Sequence, residues 1–167
     1  GLGPVYLGLF GLTARQSNAA GPAGMEEGPR ESEKRIAGVD LSGDFDGKVF
    51  WFAQGLWNRW DGFLEPDREY DWFGGFAGID YVKDERWAFS TLYNYADAED
   101  FDGTDTVYEG IDVNSLTVGA SYYFMRNVKG IVEANYDFLE EEERSGLFYT
   151  GHLTREHYLL LGVDAAY

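Results

Sequence analysis

From Val113 to the last residue, Tyr167, the chain alternates with a period of two. Leu116, Val118, Ala120, Tyr122 and Phe124 fall on one parity, and Ser115, Thr117, Gly119, Ser121 and Tyr123 on the other. After a short link, Arg126–Lys129, the pattern resumes with Val132, Ala134, Tyr136 and Phe138 against Glu133, Asn135 and Asp137. It returns a third time as Leu159, Leu161, Val163, Ala165 and Tyr167, against Gly162 and Asp164. Successive side chains of a strand point to opposite faces, so this pattern predicts strands with one apolar and one polar face. A helix would need a period near 3.6, which is absent here.

The same reading extends to the rest of the chain. Gly3–Ala14 predicts a first strand whose facing is ambiguous, because both parities are partly apolar. Arg15 to Lys34 is rich in Gly, Pro, Ser, Asn and Glu and reads as a long polar loop. A second strand is predicted near Arg35–Phe45, and Asp46-Gly47 is a tight-hairpin signal. Lys48–Trp57, Tyr70–Val82 and Trp87–Ala96 read as the next three strands, the last two joined by the turn Lys83–Arg86. Asp97–Asp112 and Glu140–Arg155 read as long acidic loops. The count is about eight strands in one domain spanning 1–167, with long and short connections alternating.

Composition limits the function classes. The net charge of −17 disfavours nucleic acid, whose phosphates need Lys and Arg. With no cysteine, disulfide frameworks and Cys-based metal sites are excluded. No basic segment followed by an apolar run opens the sequence, so Gly1 is read as following a cleaved signal or as interior to a longer chain. No apolar run reaches the length of a membrane-spanning helix. Barrel strands need only about 9–11 residues with alternate apolar positions.

The terminal aromatic on the apolar parity, the alternation before it and the long–short loop asymmetry together resemble bacterial outer-membrane β-barrel proteins of the porin-like kind. The resemblance covers nearly the whole chain and implies an all-β, up-and-down antiparallel transmembrane barrel. Leu159, Leu161, Val163, Ala165 and Tyr167 would then form the assembly signal. It further implies Gram-negative outer-membrane localisation, contact with outer-membrane lipid and lipopolysaccharide, insertion by the barrel-assembly machinery, and a passive transport role. Trp57, Trp72, Tyr81, Trp87, Tyr95 and Tyr122, near strand ends, suit the interfacial girdles of such barrels. The pattern also suits the C-terminal eight strands of a larger barrel, or a porin sheath around a protein partner.

Asp40, Asp44, Asp80, Glu133, Asp137 and Asp164 share the polar parity and are expected to face the lumen, where acidic rings favour cations. Asp100, Asp102 and Asp105, with Gly103 among them, partly match a Ca²⁺ loop but lack a distal bidentate Glu; the plainer reading is a solvated acidic loop. His152 and His157 read as a loop and a strand-end histidine rather than a metal pair. Glu133 and Asp137, four apart along a strand, stand about 13 Å apart, too far to work as an acid–base pair. No nucleophile-elbow, phosphate-loop or zinc-protease motif occurs, so an enzyme is not expected. The expected function is a cation-preferring porin-like channel or part of one. The alternatives are an eight-stranded anchor barrel, a sheath around a partner, and a soluble ligand-binding barrel with its aromatic parity turned inward.

Overall fold

The computed structural model describes residues 1–18, 30–64, 68–101, 112–139, 142–145, 150–153 and 157–165. Eight strands follow the predicted alternation: β1 (Leu2–Asn18), β2 (Arg30–Phe45), β3 (Val49–Asp61), β4 (Glu69–Val82), β5 (Trp87–Asp97), β6 (Val113–Met125), β7 (Val128–Asp137) and β10 (Tyr158–Ala165). They form one antiparallel up-and-down sheet in the order β1-β2-β3-β4-β5-β6-β7-β10. A separate two-stranded hairpin, β8 (Glu142–Ser145) with β9 (Thr150–Leu153), is inserted before the last strand. It lies inside the stretch that reads as an acidic loop in the sequence.

Several strands run further towards the long connections than alternation predicts. β1 and β2 stay paired out to Asn18 and Arg30, through Arg15↔Glu33 and Gln16↔Ser32. Their outer residues are polar on both parities, so hydrophobic periodicity carries no signal there. What holds them is the continuing backbone ladder. Among the described residues β1 and β10 are the two edges of the sheet and are not paired to each other. The exposure of Leu9 (79%), Leu161 (74%) and Val163 (75%) reflects these open edges.

The three short connections are turns. Asp46 (φ 53) and Gly47 (φ 62) are both left-handed, and the Lys48 amide donates to the Phe45 carbonyl at 3.1 Å. Two consecutive positive φ values define the primed hairpin turn whose twist matches the flanking strands. Between β4 and β5 the turn is held by Asp84, whose carboxylate accepts from the Arg86 (2.8 Å) and Trp87 (2.9 Å) amides. These two backbone hydrogen bonds hold the Asp84 carboxyl below its ordinary pKa.

A lowered folded-state pKa adds stability at pH values above the unfolded pKa, and that stability is lost as pH falls through the folded value. Asp84→Ala is therefore expected to lower the urea midpoint at neutral pH, with the difference from wild type closing as the medium is acidified below the ordinary carboxylate range. A difference that persists unchanged into strong acid would show that the charged cap is not what holds this turn.

Candidate functional site

Register assigns every strand residue to one of two faces. One row runs Val5–Gly43–Trp51–Ile79–Thr91–Val118–Ala134–Leu159 across all eight strands, and another runs Leu7–Leu41–Ala53–Ala77–Tyr93–Leu116–Tyr136. This apolar face is uncharged from the turns up to the level of Arg35, Arg59, Asp71 and Asp97. Rings gather at its two ends. At the turn end Trp87 lies 5.9 Å from Phe89 and 4.8 Å from Tyr122, and Tyr122 lies 5.1 Å from Phe124. At the loop end Phe73 lies 6.4 Å from Tyr95, and Tyr136 lies 4.8 Å from Phe138. Between the two bands stand mostly aliphatic and small residues, Ala53, Ala77, Ile79, Val118, Val132 and Ala134, with Trp51 and Tyr93 in the same rows.

Beyond the upper band the same face becomes charged. Arg59 donates to both carboxylate oxygens of Asp71 (2.7 and 2.6 Å) and pairs with Glu69 at 2.8 Å. Arg35 pairs with Glu33 at 2.7 Å, and Arg15 lies 3.6 Å from Glu33. A forked guanidinium suits a carboxylate in this way. These pairs are partly exposed, so they add little to stability. Alternation analysis misses them because they lie where it stops.

The opposite face carries all six acidic residues expected on the polar parity. Asp44, Asp80 and Glu133 fall on a single row, Asp44–Phe50–Asp80–Ser90–Gly119–Glu133–Leu160. Asp40 and Asp137 share a second row, Asp40–Gln54–Phe76–Asn94–Ser115–Asp137. Two strand steps separate Asp44 from Asp80, roughly 10 Å, and three separate Asp80 from Glu133, roughly 14 Å. These spacings exceed the reach of a shared proton or a single metal ion. They are comparable to the screening length of about 8 Å at physiological salt, which suits an extended negative field rather than a reactive centre.

Some of these carboxylates have partners. Asp164 pairs with Lys129 at 3.3 Å, Asp44 accepts from the Gly47 amide at 3.2 Å, and Asp137 accepts from the Leu139 amide at 3.0 Å. Tyr158 donates its hydroxyl to Glu133 at 2.8 Å, and Thr117 donates to Asn135 at 2.9 Å. The Asp40 carboxylate lies over Gly8, where any side chain would overlap it. Asp40 and Asp80 make no ion pair among the described residues.

This second face is not polar throughout. From β5 to β10 it carries Ser90, Asn94, Ser115, Thr117 and Asn135 with Leu92, Ile131 and Leu160 among them, and from β1 to β4 it carries the larger apolar set Phe10, Leu12, Ile36, Phe50, Phe52, Leu56 and Phe76. It is a mixed face. Trp72, expected in an interfacial girdle, stands on it opposite Asn58.

The loop end of the mixed face is covered by a small aromatic core. Phe63, Leu64, Tyr70, Ala98 and Phe101 are buried, with Trp60 and Trp72 packed against them. Trp60 lies 4.6 Å from Phe63 and 5.9 Å from Phe101, and Tyr70 stacks on Phe101 at 5.0 Å. Two segments that read as polar loops fold back to build it: the bend at Gly62–Leu64 and the 3-10 turn Glu99–Phe101. Asp112 accepts from the Ala98 amide at 3.0 Å, and Asp100 accepts from the Asp71 amide at 2.7 Å. The signal available in the sequence was Phe63, Leu64 and Phe101, apolar residues set in acidic surroundings.

Of the Ca²⁺ candidates, Asp100 thus serves a backbone contact, while Asp102 and Asp105 lie outside the described residues, as does Tyr167 of the expected assembly signal. Leu159, Leu161, Val163 and Ala165 lie together on the apolar face of β10. His157 accepts from the Asp137 amide at 3.2 Å and stacks on Tyr136 at 4.5 Å. No family model, no curated protein and no solved structure matches this chain.

Phe101 is 1% exposed and touches rings on both β3 and β4. Phe101→Ala is expected to cost about 3 kcal/mol in a urea titration, within the usual range for a buried phenylalanine. A loss below about 1 kcal/mol would show that the cluster does not hold the loops to the sheet.

Proposed function

We propose that this chain forms wall of a porin-like channel in a bacterial outer membrane, its apolar face on lipid and its mixed face lining a hydrated, cation-preferring passage. The observation that carries the reading is the uncharged band across eight strands, bounded by aromatic rings at both ends. Membrane interfaces favour Trp and Tyr at those two levels, and hydrocarbon favours the aliphatic residues between them. The ion pairs around Arg59 and Arg35 then stand beyond the upper interface, at the level of lipid and lipopolysaccharide head groups. Insertion by the barrel-assembly machinery belongs to the same reading.

Two features favour a passage wider than eight strands enclose. Backbone groups along the outer edges of β1 and β10 need partners in hydrocarbon, so the sheet must be continued or closed. Eight strands closed on themselves leave room only for their own side chains. Six carboxylates would then be desolvated against few cations of that face, Lys34 and Lys129 among them, at high cost. Further strands completing a wider barrel keep those carboxylates hydrated.

A second reading, a sheath around a protein partner, is favoured by Tyr6 (62% exposed), Phe10 (40%), Phe50 (41%) and Phe76 (37%) on the mixed face. An apolar partner surface would cover them. A soluble barrel would need the opposite orientation, and recovery of folded chain without detergent would establish it.

Placing a charge in the apolar band distinguishes lipid from lumen. Val118→Arg or Ala134→Arg is expected to cost roughly 2–4 kcal/mol of folding stability in a bilayer, whereas Ser121→Arg on the mixed face costs far less. Equal tolerance of both faces would reject the orientation.

In planar bilayers the channel is expected to prefer cations, with the preference falling as salt rises. The triple variant Asp44→Asn, Asp80→Asn, Glu133→Gln, which neutralises one row, should reduce that preference. Anion selectivity would place the carboxylates on the wrong face, and absence of conductance would favour the sheath.

A further inference from the structure

We infer that the loop-end third of the mixed face is a binding site for a small carboxylate carrying an apolar tail. An open groove of about 520 Å³ lies there across β1 to β4, beneath the aromatic core. Phe10, Ile36, Leu56 and Trp72 line its middle, and Lys34 and Asn58 stand at its loop end. Asn58 is 1% exposed, and its side-chain nitrogen has no hydrogen-bond partner among the described residues. A buried donor of this kind needs an acceptor. Lys34 holds its ammonium 3.9 Å from the centre of the Trp60 ring and makes no ion pair among the described residues.

Lys34 and Asn58 are diagonal neighbours on one face, since Lys34 pairs with Trp60 and Asn58 with Ile36. Such neighbours stand about 7–8 Å apart, close enough for the two oxygens of one carboxylate and a bridging water to serve both. One group is a cation and the other a neutral donor, so the complementary head is an anionic acceptor. The tail direction follows from the strand. From Asn58 towards the turn end the groove offers Leu56 and then Gln54, over about 13 Å. Asp40 stands opposite Gln54 and six residues along β2 from Lys34, so its charge repels a head placed at the wrong end. Phe10, on the edge strand and 40% exposed, lies over Gly38 and lines the groove together with Asn58. A sugar would match the aromatic walls, but it would leave the lysine without a counter-charge.

The inference concerns binding by the chain itself, so its test does not depend on conductance. Trp60 and Trp72 border the groove, while Trp51, Trp57 and Trp87 lie on the apolar face, so tryptophan emission reports occupancy. The full chain, held in amphipol, is titrated with 4-phenylbutanoate and with its uncharged amide. Saturable binding of the acid is expected, at least tenfold tighter than the amide. Lys34→Met should weaken the acid at least tenfold, Lys34→Arg should restore it, and Lys129→Met, on the same face but at the turn end, should leave it unchanged. Equal affinity for acid and amide in the wild-type chain overturns the assignment without recourse to any variant. So does the absence of saturable binding, or displacement of the probe by maltose, which would mark a sugar site.

Discussion

The structure depends on the backbone hydrogen-bond ladder. Seven antiparallel pairings tie eight strands into one sheet, and a single sheet has no second layer against which to bury a core. Among the described residues, buried apolar side chains are therefore confined to the small cluster around Tyr70 and Phe101 at one end. Across the rest of the sheet large apolar side chains stand exposed on both faces. A sheet with this much bare apolar surface reaches its working state only when something covers it. In the reading proposed above, lipid covers the uniform face, and continuation or closure of the sheet satisfies the edges.

The two faces differ in how evenly their chemistry is spread. On the apolar face no described strand carries a charge between the turns and the level of Asp97, and rings recur near the turn on β2, β4, β5 and β6 and near the loops on β3, β4, β5 and β7. Levels of that kind match a planar environment that all strands cross together. The mixed face instead sets apolar and charged residues side by side, from Phe50 beside Asp44 and Asp80 to Leu160 beside Glu133. The spacing of its carboxylates, roughly 10–14 Å by strand steps, sets a field without creating a reactive pair. At the Lys34–Asn58 end of the groove a cationic and a neutral donor stand close together on that face.

The loop end is organised by different forces from the sheet. The bend at Gly62 (φ 64) and the turn Glu99–Phe101 bring Phe63 and Phe101 over Trp60 and Tyr70. Ring contacts and the caps from Asp100 and Asp112 hold them. The groove is formed by this return of the loops as much as by the strands, because Trp60 belongs both to the core contacts and to the groove lining.

By itself the sequence determined the strands, their parity and the turns. Alternation is a local property, legible wherever one parity is apolar, so Val113–Met125 and Trp87–Ala96 could be placed to within a residue. Asp46-Gly47 announced its turn because few residue pairs tolerate two left-handed positions. The six acidic residues could be put on one face for the same reason. Only the tertiary structure decided which residues share a row, because row membership is the sum of registers across several strands, and a shift of one residue changes it. It also decided that Trp72 packs on the mixed face with Trp60, that β1 and β2 continue where no hydrophobic pattern marks them, and that β8 and β9 pair inside an acidic stretch. The groove was not legible for the same physical reason. Its walls come from four strands and its cover from two loops, and their meeting depends on non-local contacts that no period in the sequence records.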